Sequence, residues 1–282
     1  MIAEIKKIFQ SNTRSMEIFY LINDLKQVVR LSFYDSEFFL VKEFCEANNL
    51  SFAISDFKII QFADSGKGGF SNLGIKVNPD DRRNGYRYIY VSKEKKLSEC
   101  AKQAEHENNH KELGLLLGYP ECCVNFFINN FDEQSKKQND FVLPAIINSV
   151  GQEFEFHINI IARYFDYTLL NHFPCSFSCE KSIMLGKKYF EALKNFDLEF
   201  AKELEVHLKT AVVYTEYGGV YLLNNPKMEN NIIFYDSVLG TIKGRIFNDL
   251  ISAKKIGIMG NRTLRIMEKV ISDEDLAVIV FR

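Results

Sequence analysis

Two cysteine clusters, each announced by a proline at an expected helix start, carry most of this chain's capacity for chemistry. The first is Gly118-Tyr119-Pro120-Glu121-Cys122-Cys123, and the second is His172-Phe173-Pro174-Cys175-Ser176-Phe177-Ser178-Cys179. They hold four of the six cysteines, so the thiols are concentrated rather than scattered. The spacing predicts that these thiols fall in the first turns of helices, where unpaired backbone N–H groups and the macrodipole favour negative charge. Such an environment lowers a thiol pKa and yields thiolate, the form that both binds metal and attacks electrophiles. Cys175 and Cys179, four apart, would share a helix face, and His172 just before them could fold back toward the same point. One thiolate from Cys122 or Cys123 would complete the tetrahedral set that zinc prefers. Three thiolates and a histidine, or four thiolates, would equally hold an iron–sulfur cluster. Neither cluster is a C-x-x-C, and the C-x3-C-x-x-C spacing of radical S-adenosylmethionine enzymes is absent.

Other readings compete with the metal site. A metal-free thiol protein, redox-active or nucleophilic, needs the same low-pKa cysteines. A non-enzymatic protein with a structural zinc needs the same ligands, and plain core packing suits Cys122 and Cys123 beside Val124, Phe126 and Phe127. Glu121 and Glu180 adjoin cysteines in early helical turns; they complement the dipole and are the nearest acid–base candidates if a reaction occurs. Cys45 and Cys100 are isolated and read as core or bystander residues.

His106-Glu107-Asn108-Asn109-His110 satisfies H-E-x-x-H within an expected helix. Its chemistry would be a zinc hydrolase: His106 and His110 one helical turn apart on the ion, with Glu107 activating a bound water. The surroundings are polar for a motif that is normally buried, and no third histidine follows at the extended spacing. A solvated helix face is the plainer account. Ser65-Gly66-Lys67-Gly68-Gly69 lacks phosphate-loop spacing and reads as a flexible hairpin or lid loop. Asp80-Asp81-Arg82-Arg83 reads as a charged turn tip.

The elements that must position these residues follow from periodicity. Residues 1 to about 48 read as helical, and 50 to about 92 as short strands separated by turn residues. Leu97 to Leu117 reads as one helix closed by Gly118, a second helix starts at Pro120, and helical pieces continue to about Leu170. Further helices span Cys175 to about Phe196 and Leu198 to Leu208. Strands return at Ala211–Tyr217 and Val220–Leu223 around a Gly218-Gly219 turn, then at Ile232–Tyr235, Lys255–Met259 and Leu276–Phe281, with a helix near Ile246–Ala253. The expected class is α+β, with N-terminal helices and a small antiparallel sheet in 1–95, a helical Cys/His region in 96–209 and a small β-rich unit in 210–282.

Composition narrows the setting. The chain has 282 residues, 46% hydrophobic, which is ample for a packed core and excludes wholesale disorder. Its 35 basic and 37 acidic side chains give a net charge of -2, which argues against nucleic acid as the main partner. No apolar run approaches the roughly 20 residues that span a bilayer, and no signal peptide pattern opens the chain. The expectation is a soluble cytoplasmic protein without a membrane partner, whose thiols stay reduced and available for metal. Substrate and oligomeric state have no signature.

The segments Leu115-Leu116-Leu117-Gly118-Tyr119-Pro120-Glu121-Cys122-Cys123-Val124 and His172-Phe173-Pro174-Cys175-Ser176-Phe177-Ser178-Cys179-Glu180 resemble an uncharacterised prokaryotic family with LGYP-x-CCV and H-x-P-C-x3-C motifs. The resemblance covers roughly residues 90 to 225. It implies that the two clusters are paired motifs, and it supplies no reaction. The leading expectation is therefore a metal-binding protein, an enzyme of unassigned reaction, with zinc or an iron–sulfur cluster on Cys122, Cys123, His172, Cys175 and Cys179.

Overall fold

Strand alternation, not helical periodicity, governs Val28–Tyr34. Leu31 and Phe33 are buried while Arg30 before them and Ser32 between them are half-buried, the signature of a half-covered strand. The expectation that residues 1–48 are all helical is corrected here: two helices, α1 (Ile2–Phe9) and α2 (Asn12–Ile22), precede this strand, β1, and one, α3 (Phe38–Ala47), follows it. The structure is a computed structural model that describes residues 2–62, 66–68, 71–260 and 262–282. Ser65 and Gly69 of the glycine-rich loop lie outside the described residues.

The chain divides into two compact units. The first comprises residues up to Phe62 together with Asn72–Asp132. Its sheet adds β2 (Ser51–Ile54), β3 (Lys58–Gln61), β4 (Gly74–Val77) and β5 (Tyr86–Ser92) to β1. Strand β5 is the hub, pairing antiparallel with β1 from Val28↔Ser92 to Tyr34↔Tyr86 and also with β2 and β3. Val28 and Tyr90 on the sheet pack with Ala101, Ala104, Leu113 and Leu117. These last four lie on, or at the end of, α4 (Lys95–His106) and α5 (His110–Leu116). The single helix expected over Leu97–Leu117 is thus two. Asn108 adopts a left-handed φ of 54°, and the Asn109 side chain accepts a bond from Glu112 N at 3.2 Å to cap the new helix. The unit ends in α6 (Glu121–Gln134).

The second unit comprises Glu133–Arg282 together with the described residues between 63 and 71. Its helices are α7 (Val142–Ile147), α8 (Glu180–Phe196), α9 (Leu198–Leu208) and α10 (Arg245–Ala253). One sheet runs β11 (Ser237–Gly240), β8 (Gly219–Asn224), β7 (Thr210–Thr215), β15 (Leu276–Phe281) and β6 (Glu153–Phe154) in spatial order. All six residues of β7 and of β15 are buried, as expected for strands covered on both faces. The other sheet runs β14 (Lys269–Ser272), β13 (Thr263–Ile266), β12 (Lys255–Gly260), β10 (Ile232–Phe234) and β9 (Lys227–Glu229). Leu250 of α10 joins Ile256, Leu264 and Ile266 in the core that these two sheets share. The architecture is α+β, with ten α-helices and three five-stranded sheets among the described residues. Among those residues no helix is long and apolar enough to cross a membrane.

Helix α8 approaches the 3-10 turn Phe156–Ile158 so closely that a Cβ on Gly186 would stand 2.4 Å from the His157 carbonyl oxygen. Backbone on both sides leaves no side chain to yield. Gly186→Ala should therefore cost about 1–3 kcal/mol in urea unfolding, the usual penalty for overpacking. Gly260→Ala, where an added Cβ meets nothing within 4 Å, is the control.

Candidate metal centre

The loop before the first thiol pair is built by a helix stop. At the end of α5, Gly118 takes φ 76°, its N–H donates to Leu115 O at 3.0 Å, and Tyr119 N donates to Gly114 O at 3.0 Å. This pair of bonds is the Schellman arrangement that closes a helix on a left-handed glycine. Pro120 then fixes the backbone, and its carbonyl accepts from Cys123 N at 2.9 Å and Val124 N at 3.0 Å as α6 begins. Cys122 and Cys123 occupy the first turn of α6, as expected, with their Sγ atoms 3.9 Å apart. Cys123 is buried and Cys122 half-buried.

The second pair departs from expectation. Helix α8 starts at Glu180, so Cys179 is its N-cap and Cys175 lies in the turn before it. That turn is held from outside: Asn148 Nδ2 donates to Cys175 O at 3.1 Å, and Phe177 N donates to Ser149 Oγ at 2.7 Å. Phe177 is fully buried against Phe154 and Phe281, with ring centroids 5.7 and 5.5 Å away. Cys179 N bonds Ser176 O, and Ile183 N bonds Cys179 O as the helix gets under way. Cys179 is buried and Cys175 half-buried.

The Sγ atoms of Cys122, Cys123, Cys175 and Cys179 all lie within 4.8 Å of one another. This is the central observation. Both members of the first pair belong to this group, whereas the spacing alone left open which of them would. His172 is buried with Nε2 2.9 Å from Ser182 Oγ, and it is not among the grouped ligand atoms. Glu121 and Glu180 are exposed; Glu121 faces Lys111 across 3.9 Å.

The H-E-x-x-H residues lack the continuous helix that their chemistry requires. His106 ends α4 and His110 begins α5, with Glu107, Asn108 and Asn109 breaking the turn between them. His106 and Glu107 are exposed, and His110 rests on the rings of Phe127 and Phe131 at 5.5 and 4.6 Å. Burial lowers the His110 pKa below the ordinary imidazole value. Cys45 is fully buried, and desolvation followed by the charge of Glu46 pushes its thiol up to about 12.

Residues 96–209 match the model of a protein family of unknown function, DUF483. The matched stretch includes α4 through α9 and both thiol pairs; α1–α3, β1–β5 and the strands from β7 onward lie outside it. No curated protein and no solved structure matches the chain.

The burial pattern predicts an order of thiol reactivity. In the presence of a chelator at pH 8, iodoacetamide should modify Cys100, Cys122 and Cys175 ahead of Cys123 and Cys179, with Cys45 last, as followed by peptide mass spectrometry. Early modification of Cys45 would contradict its complete burial.

Proposed function

We propose that this chain is a metal-binding protein that holds one zinc ion on the thiolates of Cys122, Cys123, Cys175 and Cys179. The observation that carries this reading is the mutual approach of the four sulfurs within 4.8 Å. Tetrahedral zinc with Zn–S bonds of about 2.3 Å places its sulfurs about 3.8 Å apart, so only a small contraction is needed. An iron–sulfur cluster interposes bridging sulfides and more than one iron between its thiolates, which spreads them further and favours the single ion here. The partial positive charge at the starts of α6 and α8 offsets part of the charge of a four-thiolate complex. A reducing compartment such as the cytoplasm would keep all four thiols free to ligate.

Four protein ligands fill the tetrahedral shell and leave no position for a water. On this reading the ion organises structure and does not hydrolyse a substrate. The broken helix between His106 and His110 disfavours the hydrolase alternative on its own account. Elemental analysis and a visible spectrum of untagged protein purified without oxygen should give one zinc per chain and no colour. Cys175→Ser should lose the metal, while His106→Ala and His110→Ala should keep it. Brown protein containing iron and sulfide, or zinc retained by Cys175→Ser and lost from His106→Ala, would overturn the assignment.

A further inference from the structure

Each thiol pair follows an aromatic residue and a proline, Tyr119-Pro120 and Phe173-Pro174, and in both places a cation lies over the aromatic ring. Lys26 Nζ stands 5.2 Å from the Tyr119 centroid, and the Arg163 guanidinium carbon stands 4.0 Å from the Phe173 centroid. Each cation in turn faces a buried carboxylate. Lys26 Nζ donates to both oxygens of Glu17 at 2.7 and 2.8 Å, and the two side chains are only 2% and 3% exposed. Arg163 lies 4.0 Å from Asp140, whose side chain is 2% exposed. Asp140 also accepts from the phenols of Tyr164 and Tyr214 and from Val142 N, and it faces Lys67 Nζ at 3.7 Å. Beside it, Phe141 packs on Phe173 with centroids 5.0 Å apart.

A buried ion pair is a poor source of net stability, since hydrophobic residues of similar volume often serve as well. What such a pair supplies is direction: it fixes the cation, and the cation fixes the ring over which it sits. From each ring the chain passes through a proline, with φ locked, to the first thiol of the pair within two or three residues. We infer that Glu17–Lys26–Tyr119 and Asp140–Arg163–Phe173 are two clamps that position the thiol pairs and thereby set metal affinity. The inference rests on the four thiols being metal ligands. A loop already held in its bound conformation loses less entropy when the ion arrives, so loosening it weakens binding without changing the ligands. Outer-shell supports of metal ligands are worth about 10–100-fold in affinity.

The test is a cobalt(II) titration of the full chain against a competing chelator, reading the thiolate charge-transfer and ligand-field bands. Arg163→Met leaves Asp140 its phenol and lysine partners, and the double variant Glu17→Met/Lys26→Met removes a pair without stranding a charge. Each should bind cobalt about 10–100-fold more weakly, with the band shape of a four-thiolate site unchanged and with metal-free unfolding near wild type. Arg163→Lys should recover part of the loss. If the double variant does not fold, Tyr119→Leu removes the ring, keeps the ion pair and should give the same weakening. Variants that fold and bind cobalt as tightly as wild type overturn the clamps alone. A wild-type chain without thiolate bands overturns the metal reading and the clamps with it.

Discussion

Four sulfurs within 4.8 Å of one another are an electrostatic constraint before they are a binding site. As thiolates they would bring like charges together where two of them, Cys123 and Cys179, have little access to water. A divalent ion at their centre would turn that repulsion into attraction, and the amide-rich starts of α6 and α8 would reduce what charge remains. Much of the local structure bears on the segments that carry these thiols. The Schellman stop at Gly118, the carbonyls of Pro120 and Cys179 that accept the first bonds of α6 and α8, the bond that Asn148 donates and the one that Ser149 accepts all act on residues within a few positions of a thiol.

The polar residues buried nearby are distributed in the same sense. Buried carboxylates normally need partners, and both Glu17 and Asp140 have them in cations that lie over aromatic rings next to the prolines. Burial and the Asp140 charge raise the pKa of Tyr164 and Tyr214, and burial and the Glu17 charge raise that of Tyr119. All three phenols therefore stay protonated, and those of Tyr164 and Tyr214 remain donors to Asp140.

Much of the site was legible in the sequence because residue type and proline position speak to local chemistry. The grouping of Cys175 and Cys179 with a thiol of the Cys122–Cys123 pair could be anticipated; which of those two, or whether both, could not be decided, since adjacency says nothing about rotamers. His172 has the spacing for a ligand, while the structure sets its Nε2 2.9 Å from Ser182 Oγ, ten residues along, a partner that only the fold reveals. The helix break at Asn108 falls in the polar stretch between Ala104 and Leu113, two apolar positions that pack into one cluster with Ala101 and Leu117 and so suggest a single helix. Asn-Asn is the local sign, because asparagine tolerates left-handed backbone and caps helices well. Strand β1 was obscured because helices flank it closely on both sides, although Val28-Val29 and the Leu31/Phe33 alternation carry strand character. Lys26 and Arg163 gave no signal at all, being distant in sequence from the carboxylates or rings they serve.

X-ray absorption at the zinc edge of untagged protein tests the central claim most directly, because it counts and ranges the ligand atoms without reference to activity. Four sulfur scatterers at about 2.3 Å and no lighter ligand are the predicted result. A shell containing nitrogen or oxygen neighbours, or no zinc in the sample to measure, would contradict it.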